Sequence, residues 1–337
     1  MSSDFPSELR YDVASGDWVV IASGRAKRPD QFKKEKRVKE ENNKEECPFC
    51  KWEELEKVNA VFEDGEEAEK ITENWSAISI PNKFPAFMPA DTLEEKSENH
   101  LYKTIKAVGY HEVVITRDHE KSLGELSVSK VREVVRLYRQ RYNDLLGRKF
   151  VNYVSIFHNH GVEAGASISH PHSQIITTPL IDVDLNKALS KSREHYNNEK
   201  YCIYCKMNEW EMEKRERVVY ENELFIVVCP FASKAAFQMI ISPKKHLAYF
   251  EKATDEEIDS LGDAFSAALS KLYKGLGDPP YNFYLHCAPS DGMDHGYYHW
   301  HWTIIPKTST WAGFELGARM EISTIRPEDA AAYLREC

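Results

Sequence analysis

Short apolar runs alternate along the chain with amphipathic stretches, which predicts a mixed α+β protein. Residues 127–146 set Val128, Val131, Val134, Val135, Tyr138, Tyr142 and Leu145 at helical spacing, and Gly147 is placed to cap that helix. A second helix is predicted over 255–274, opened by the capping box Thr254-x-x-Glu257 and closed by Gly275 or Gly277. Residues 184–200 carry a weaker helical pattern and read as a connector. Apolar and β-branched runs predict strands at 17–23, 75–80, 111–116, 151–157, 218–228, 237–242 and 281–286. Residues 33–46 are almost entirely charged or amide and read as a loop.

One predicted strand breaks the apolar pattern. Residues 167–176 read Ser-Ile-Ser-His-Pro-His-Ser-Gln-Ile-Ile, too polar to be core. His170, His172 and Gln174 alternate, so on an extended strand they face one side, with neighbours roughly 6 to 7 Å apart. Pro171 cannot donate to a ladder, which argues for a strand start or edge that a ligand can approach.

The pattern recurs. A Cys-x-x-Cys pair, a strand ending in a histidine, a helix, a strand and a His-x-His occur in that order twice. His119 and His246 are 127 residues apart, whereas His170 to His299 and His172 to His301 are each 129. The simplest organisation is two copies of one α+β unit, at 1–185 and 200–337, with a sheet shared between them. Thr303 stands in the second copy where the first has Gln174, so the polar face is intact only once.

Composition narrows the chemistry. With 44 basic against 54 acidic residues the net charge is -10, which offers no electrostatic footprint for duplex nucleic acid or an anionic membrane. No run approaches the roughly 18 to 20 apolar residues of a membrane span, and the first ten residues lack the regions of a signal peptide, so the chain reads as cytoplasmic. Four of the seven cysteines form the pairs Cys47/Cys50 and Cys202/Cys205, which favours metal or redox chemistry over a disulfide framework.

With two histidines from each copy, Cys47, Cys50, His119 and His170 form one candidate set, and Cys202, Cys205, His246 and His299 the other. Cys2His2 suits tetrahedral zinc in closed, structural sites. The rival is redox, because Cys47-Pro-Phe-Cys50 has the look of a glutaredoxin-type dithiol. If His170 is a ligand, His172 is left as the reactive imidazole, a nucleophile toward a nucleotide α-phosphorus. Gln174 then donates to a phosphoryl oxygen and holds the covalent state without activating water. A lone His-x-His is also compatible with a metal pair or a surface strand.

Arg25-Ala-Lys-Arg-Pro29, Cys47-x-x-Cys50, Asp118-His119, Asn159-x-Gly161 and His170-Pro-His-Ser-Gln174 together resemble the galactose-1-phosphate uridylyltransferase branch of the histidine-triad superfamily. The resemblance spans nearly the whole chain. It implies two histidine-triad-like halves in a largely antiparallel half-barrel sheet with flanking helices, and a homodimer. It further implies a ping-pong reaction in which His172 attacks UDP-glucose, releases glucose 1-phosphate and passes the uridylyl group to galactose 1-phosphate. Carried over by motif, Asn82 and Phe84 lie near the nucleoside, Asn159, Ser167 and Gln174 on the phosphates, Arg25 and Arg28 toward a substrate phosphate, and Glu315 on the hexose.

The chain departs from that pattern at Ser173, where the uridylyltransferase motif has glycine and a sister group of ADP-glucose phosphorylases does not. Ser309 and Glu321 stand where a uridylyltransferase has lysine and glutamine. The second Cys2His2 set resembles the phosphorylases' second zinc, whereas some uridylyltransferases place iron there with a carboxylate and histidines, including a position like His286. The expectation is a uridylyltransferase with two zinc ions, iron being the alternative in the second site. Competing readings are a nucleotide-sugar phosphorylase using phosphate as acceptor and a non-catalytic, zinc-stapled nucleotide-binding module.

Overall fold

A computed structural model describes residues 7–25 and 44–337 of the chain. In order, the first half holds β1 (Glu8–Tyr11), β2 (Trp18–Ile21), β3 (Ala60–Glu63), β4 (Glu66–Ala68), β5 (Ala77–Pro81), β6 (Glu95–Glu98), β7 (Tyr102–Ile105), β8 (His111–Thr116), α1 (Val128–Leu146), β9 (Tyr153–His160), β10 (His172–Thr178) and α2 (Val183–Glu199). The second half holds α3 (Ile203–Lys214), β11 (Val218–Glu221), β12 (Phe225–Val228), β13 (Met239–Pro243), α4 (Asp255–Leu276), β14 (Tyr281–His286), β15 (His301–Pro306), α5 (Gly313–Ala318), β16 (Ile322–Ser323) and α6 (Pro327–Glu336). The fold class is α+β, as expected.

Eleven strands form one antiparallel sheet in the order β4-β3-β5-β8-β10-β9-β14-β15-β13-β12-β11. At the central seam Asn159 lies opposite Asn282 and His158 opposite Phe283. Outward from this seam, β10, β8 and β5 on one side mirror β15, β13 and β12 on the other. In each half a helix, α1 or α4, links the strand that ends near His119 or His246 to the strand at the seam.

Both helices cover the same face of the sheet. Ser127 caps α1, and Thr254 with Glu257 forms the reciprocal capping box that opens α4, with N–H to oxygen distances of 3.2 and 2.8 Å. Between helices and sheet, Tyr138 of α1 stacks 5.8 Å from Trp302, which meets Phe265 of α4 edge-on at 5.0 Å. Across the helix pair, Arg132 and Arg136 make bidentate bonds to Asp263 and Asp259 at 2.6 to 2.8 Å.

Alternation along the strands then sorts side chains by face. On β8, Glu112 points to the helices and is clamped by Arg141 of α1 at 2.8 and 2.7 Å. His111, Val113 and Ile115 therefore look the other way, toward a smaller apolar cluster of Cys47, Phe49, Trp75 and Ile78. The Cys47-x-x-Cys50 turn packs on this second face, and the candidate site lies there.

Several element boundaries differ from expectation. Strand β10 begins at His172, not residue 167. Pro171 has no N–H for a ladder, and the His170 ring is engaged in the cysteine cluster, so the preceding residues stay a loop. The strand expected over 218–228 is a hairpin, because the Asn222 side chain accepts from the Leu224 and Phe225 N–H groups at 3.1 and 2.8 Å and turns the chain. Residues 33–43 of the expected loop lie outside the described residues. Hairpin β1–β2 pairs not with the first half but with β16, in parallel. Among the described residues no helix is long and apolar enough to cross a membrane.

Candidate active site and metal centres

Both cysteine-histidine sets assemble, the ligand atoms of each lying within 4.8 Å of one another. In the first, His170 Nε2–H donates to the Thr116 carbonyl at 2.7 Å, so the Nδ1 of the neutral ring presents a lone pair. That atom is 3.5 and 3.6 Å from the sulfurs of Cys47 and Cys50 and 3.2 Å from His119 Nδ1, which is itself 3.1 Å from Cys50. A zinc tetrahedron with bonds of about 2.3 Å to sulfur and about 2.0 to 2.1 Å to nitrogen has edges of about 3.4 Å (N to N) and about 3.6 Å (S to N). The observed separations fit it. Burial and the neighbouring Cys47 push the bare Cys50 thiol up to about 11, so a thiolate there calls for a cation.

The second set repeats the design. His246 Nε2–H donates to the Gly296 carbonyl at 2.7 Å and His299 Nε2–H to the Pro243 carbonyl at 3.0 Å, and both Nδ1 atoms face Cys205 at 3.4 and 3.5 Å. A zinc ion held by all four donors of either set would be a structural clamp, with no position left for substrate.

His172 opens β10 beside the first cluster and is buried, 8% exposed. Its Nδ1–H donates to the carbonyl of His170 at 2.9 Å, which fixes the tautomer and leaves the Nε2 lone pair as the nucleophilic end. Burial lowers its pKa from the ordinary value against the opposing backbone hydrogen bond, so the ring is neutral near pH 7. The Phe49 ring, from the cysteine turn, lies 5.2 Å from His172 and 5.7 Å from His170. His170 thus serves twice, its ring in the cluster and its carbonyl on the His172 ring.

Around His172 the second face gathers three of the expected residues. Gln174 Oε1 lies 2.8 Å from His111 Nε2. Asn159 Oδ1 accepts from Asn282 Nδ2 at 2.8 Å, which leaves the Asn159 amide nitrogen as a donor. Asn82 follows β5, and its Oδ1 accepts the Phe84 N–H at 2.8 Å. Phe84 is 82% exposed and is not part of the core. Ser167 is exposed in the loop before His170. The Glu315 carboxylate instead accepts the Ala312 N–H at 3.0 Å and caps α5. The Arg25 side chain and all of Arg28 lie outside the described residues.

Residues 2–181 match the family described as "Galactose-1-phosphate uridyl transferase, N-terminal domain". The chain belongs to this family. It is therefore an enzyme of the nucleotidyltransferase class. An ADP-glucose phosphorylase of Arabidopsis thaliana is 31% identical over 333 residues, spanning 98% of this chain and 92% of that protein. The galactose-1-phosphate uridylyltransferase of Thermotoga maritima is 28% identical over 339 residues, spanning 98% of each. Among solved structures, an Arabidopsis thaliana ADP-glucose phosphorylase with bound ADP-glucose superposes with a TM-score of 0.79 at 29% identity, covering 98% of this chain and 99% of that one. A uridylyltransferase structure gives 0.74 at 26%, covering 98% and 97%.

Within this family frame, two departures prove to be interior. Ser173 points to the helices, its hydroxyl 2.5 Å from the Tyr138 hydroxyl and 2.9 Å from His158 Nδ1. Glu321 is buried with its carboxylate 3.9 Å from Lys234. Ser309 is exposed. Two further residues of the site, His111 and Asn282, were not expected from the sequence. Both are ordinary strand positions by pattern, and only the cross-strand register turns them toward Gln174 and Asn159.

Proposed function

We propose that this enzyme transfers a nucleoside monophosphate from a nucleotide sugar through a covalent nucleotidyl-His172 intermediate. UDP-glucose is the donor, hexose 1-phosphate the acceptor, and galactose metabolism the setting. The observation that carries the reading is the His172 tautomer, locked by the His170 carbonyl with a neutral Nε2 on the substrate face. His172 Nε2 attacks the α-phosphorus; the N–P bond forms as the bond from that phosphorus to the bridging oxygen breaks, and sugar 1-phosphate leaves. The ring is then cationic, and its retained Nδ1–H stays bonded to the carbonyl. An acceptor phosphate oxygen attacks the same phosphorus, the P–O bond forms and the N–P bond breaks, returning the lone pair to Nε2.

Gln174 and Asn159 supply neutral amide donors to the phosphoryl oxygens, and no third histidine stands at position 174 to activate water. The residues of both cysteine-histidine sets are read as zinc ligands, and the two halves, 1–185 and 200–337, as copies of one unit. We read the protein as a cytoplasmic homodimer whose Arg25, Arg28 and Glu315 reach substrate.

A phosphorylase reading, ADP-glucose plus phosphate, is favoured by the 31% identity to the Arabidopsis thaliana enzyme against 28% to the Thermotoga maritima one, and by the TM-score of 0.79 for the ADP-glucose phosphorylase structure against 0.74 for the uridylyltransferase. Isotope exchange tests the reading. Labelled glucose 1-phosphate should enter UDP-glucose with no second acceptor present, and His172→Gly should abolish the exchange. Exchange only into ADP-glucose supports the phosphorylase, and no exchange into either contradicts the covalent mechanism.

A further inference from the structure

His111 sits at the start of β8 between the loop that follows β5 and the Gln174 side chain. The Ala86 N–H lies 3.1 Å from His111 Nδ1. A backbone N–H can only donate, so Nδ1 is the unprotonated nitrogen and the ring's proton is on Nε2. That Nε2–H lies 2.8 Å from Gln174 Oε1 and donates to it. A flipped Gln174 would set an amide N–H against an N–H, so the carboxamide is held one way round.

The neighbouring Asn82 takes no part in this bond. Its Nδ2 is 3.1 Å from the same His111 Nε2, yet its orientation is fixed independently, because its Oδ1 already accepts the Phe84 N–H. The Asn82 –NH2 therefore finds no lone pair on His111 and remains a donor for another acceptor. The Ala86 N–H and the Gln174 side-chain oxygen thus agree on one proton placement on the His111 ring.

We propose that His111 is a positioning residue, transmitting the conformation of the 82–86 loop to Gln174 and holding its –NH2 as the donor to the phosphoryl group on His172. The inference rests on the nucleotidyl-histidine reading above. It also links binding to transfer, since a nucleoside that orders the loop orders the amide that steadies its own phosphorus.

The test is a double-mutant cycle read by glucose 1-phosphate exchange. His111→Phe and His111→Asn, which lack the distal donor, should slow exchange about tenfold, the loss expected of one hydrogen bond, with KM for the nucleotide sugar changed less than about threefold. His111→Gln, whose amide N–H reaches the same place, should recover to within about threefold of wild type. In a Gln174→Ala background, His111→Phe should cost nothing further. A full tenfold loss in that background, an unaltered rate in His111→Phe, or equal losses in His111→Gln and His111→Asn would overturn the proposal. Zinc content and thermal midpoint identify a variant that fails to fold, and absence of exchange in the wild type would instead count against the nucleotidyl-histidine reading itself.

Discussion

Ser173 directly follows the proposed nucleophile in the run Pro171-His172-Ser173, but it faces the helices while His172 lies on the opposite face of the sheet. The residue that breaks the family motif is thus part of the core. Ser173→Gly leaves the Tyr138 hydroxyl and His158 Nδ1 without this partner, and is expected to cost about 1 to 3 kcal/mol of stability. Nucleotide preference should not change; denaturant unfolding beside exchange with UDP- and ADP-glucose checks both, and a switch in nucleotide would contradict the assignment. At this scale His172 and Gln174 were legible because period-two alternation and residue chemistry suffice to place them on one face. His111 and Asn282 were not, since their partners lie 63 and 123 residues away and come together only through strand register.

The helix pair α1–α4 is closest at Gly262, where an added Cβ would stand 2.8 Å from the Arg132 Cα. Intrinsic propensity favours alanine there by about 1 kcal/mol. The clash with backbone outweighs it, so Gly262→Ala is expected to destabilise, by about 1 to 3 kcal/mol, and a gain in unfolding free energy would show that the helices are free to separate. Both helices were legible from apolar spacing and caps. The β11–β12 hairpin was not, because one Asx turn interrupts a run whose composition is uniformly strand-like. The gathering of each cysteine pair with two histidines was legible from their spacing, and on the proposed reading elemental analysis should find two zinc ions per chain. Cys202→Ser should lower zinc to one and reduce the thermal midpoint while leaving covalent labelling of His172 intact. Cys47→Ser should impair labelling as well, because Phe49 and His170 of the first site touch His172.

Across the whole molecule, the seam β9–β14 brings Asn282 of the second half to Asn159 of the first, so the site draws on both. The N-terminal hairpin is pinned to the second half by two charge clusters. Burial raises the Glu328 carboxyl, but hydrogen bonds from Arg10 and Arg217 outweigh it and hold it at about 2; Asp17, bonded to Lys187 and Lys234, is likewise held at about 2. Both values lie below the ordinary 4.5 and 3.8, so this stabilisation is complete above that range and lost as pH falls toward 2. The thermal midpoint of the wild type should therefore drop over that interval more than that of Glu328→Gln, and equal drops would mean that the cluster contributes nothing. The twofold order of the sheet was legible in the repeated motifs, whereas the crossing of β1–β2 to β16 left no sequence signal, resting on short strands and long-range pairing. The central claim is the covalent intermediate, and intact-protein mass after incubation with UDP-glucose, and separately ADP-glucose, tests it most directly. The account predicts a uridylyl adduct that is lost in His172→Gly; an adenylyl adduct alone would contradict the uridine assignment, and no adduct with either nucleotide would contradict the mechanism.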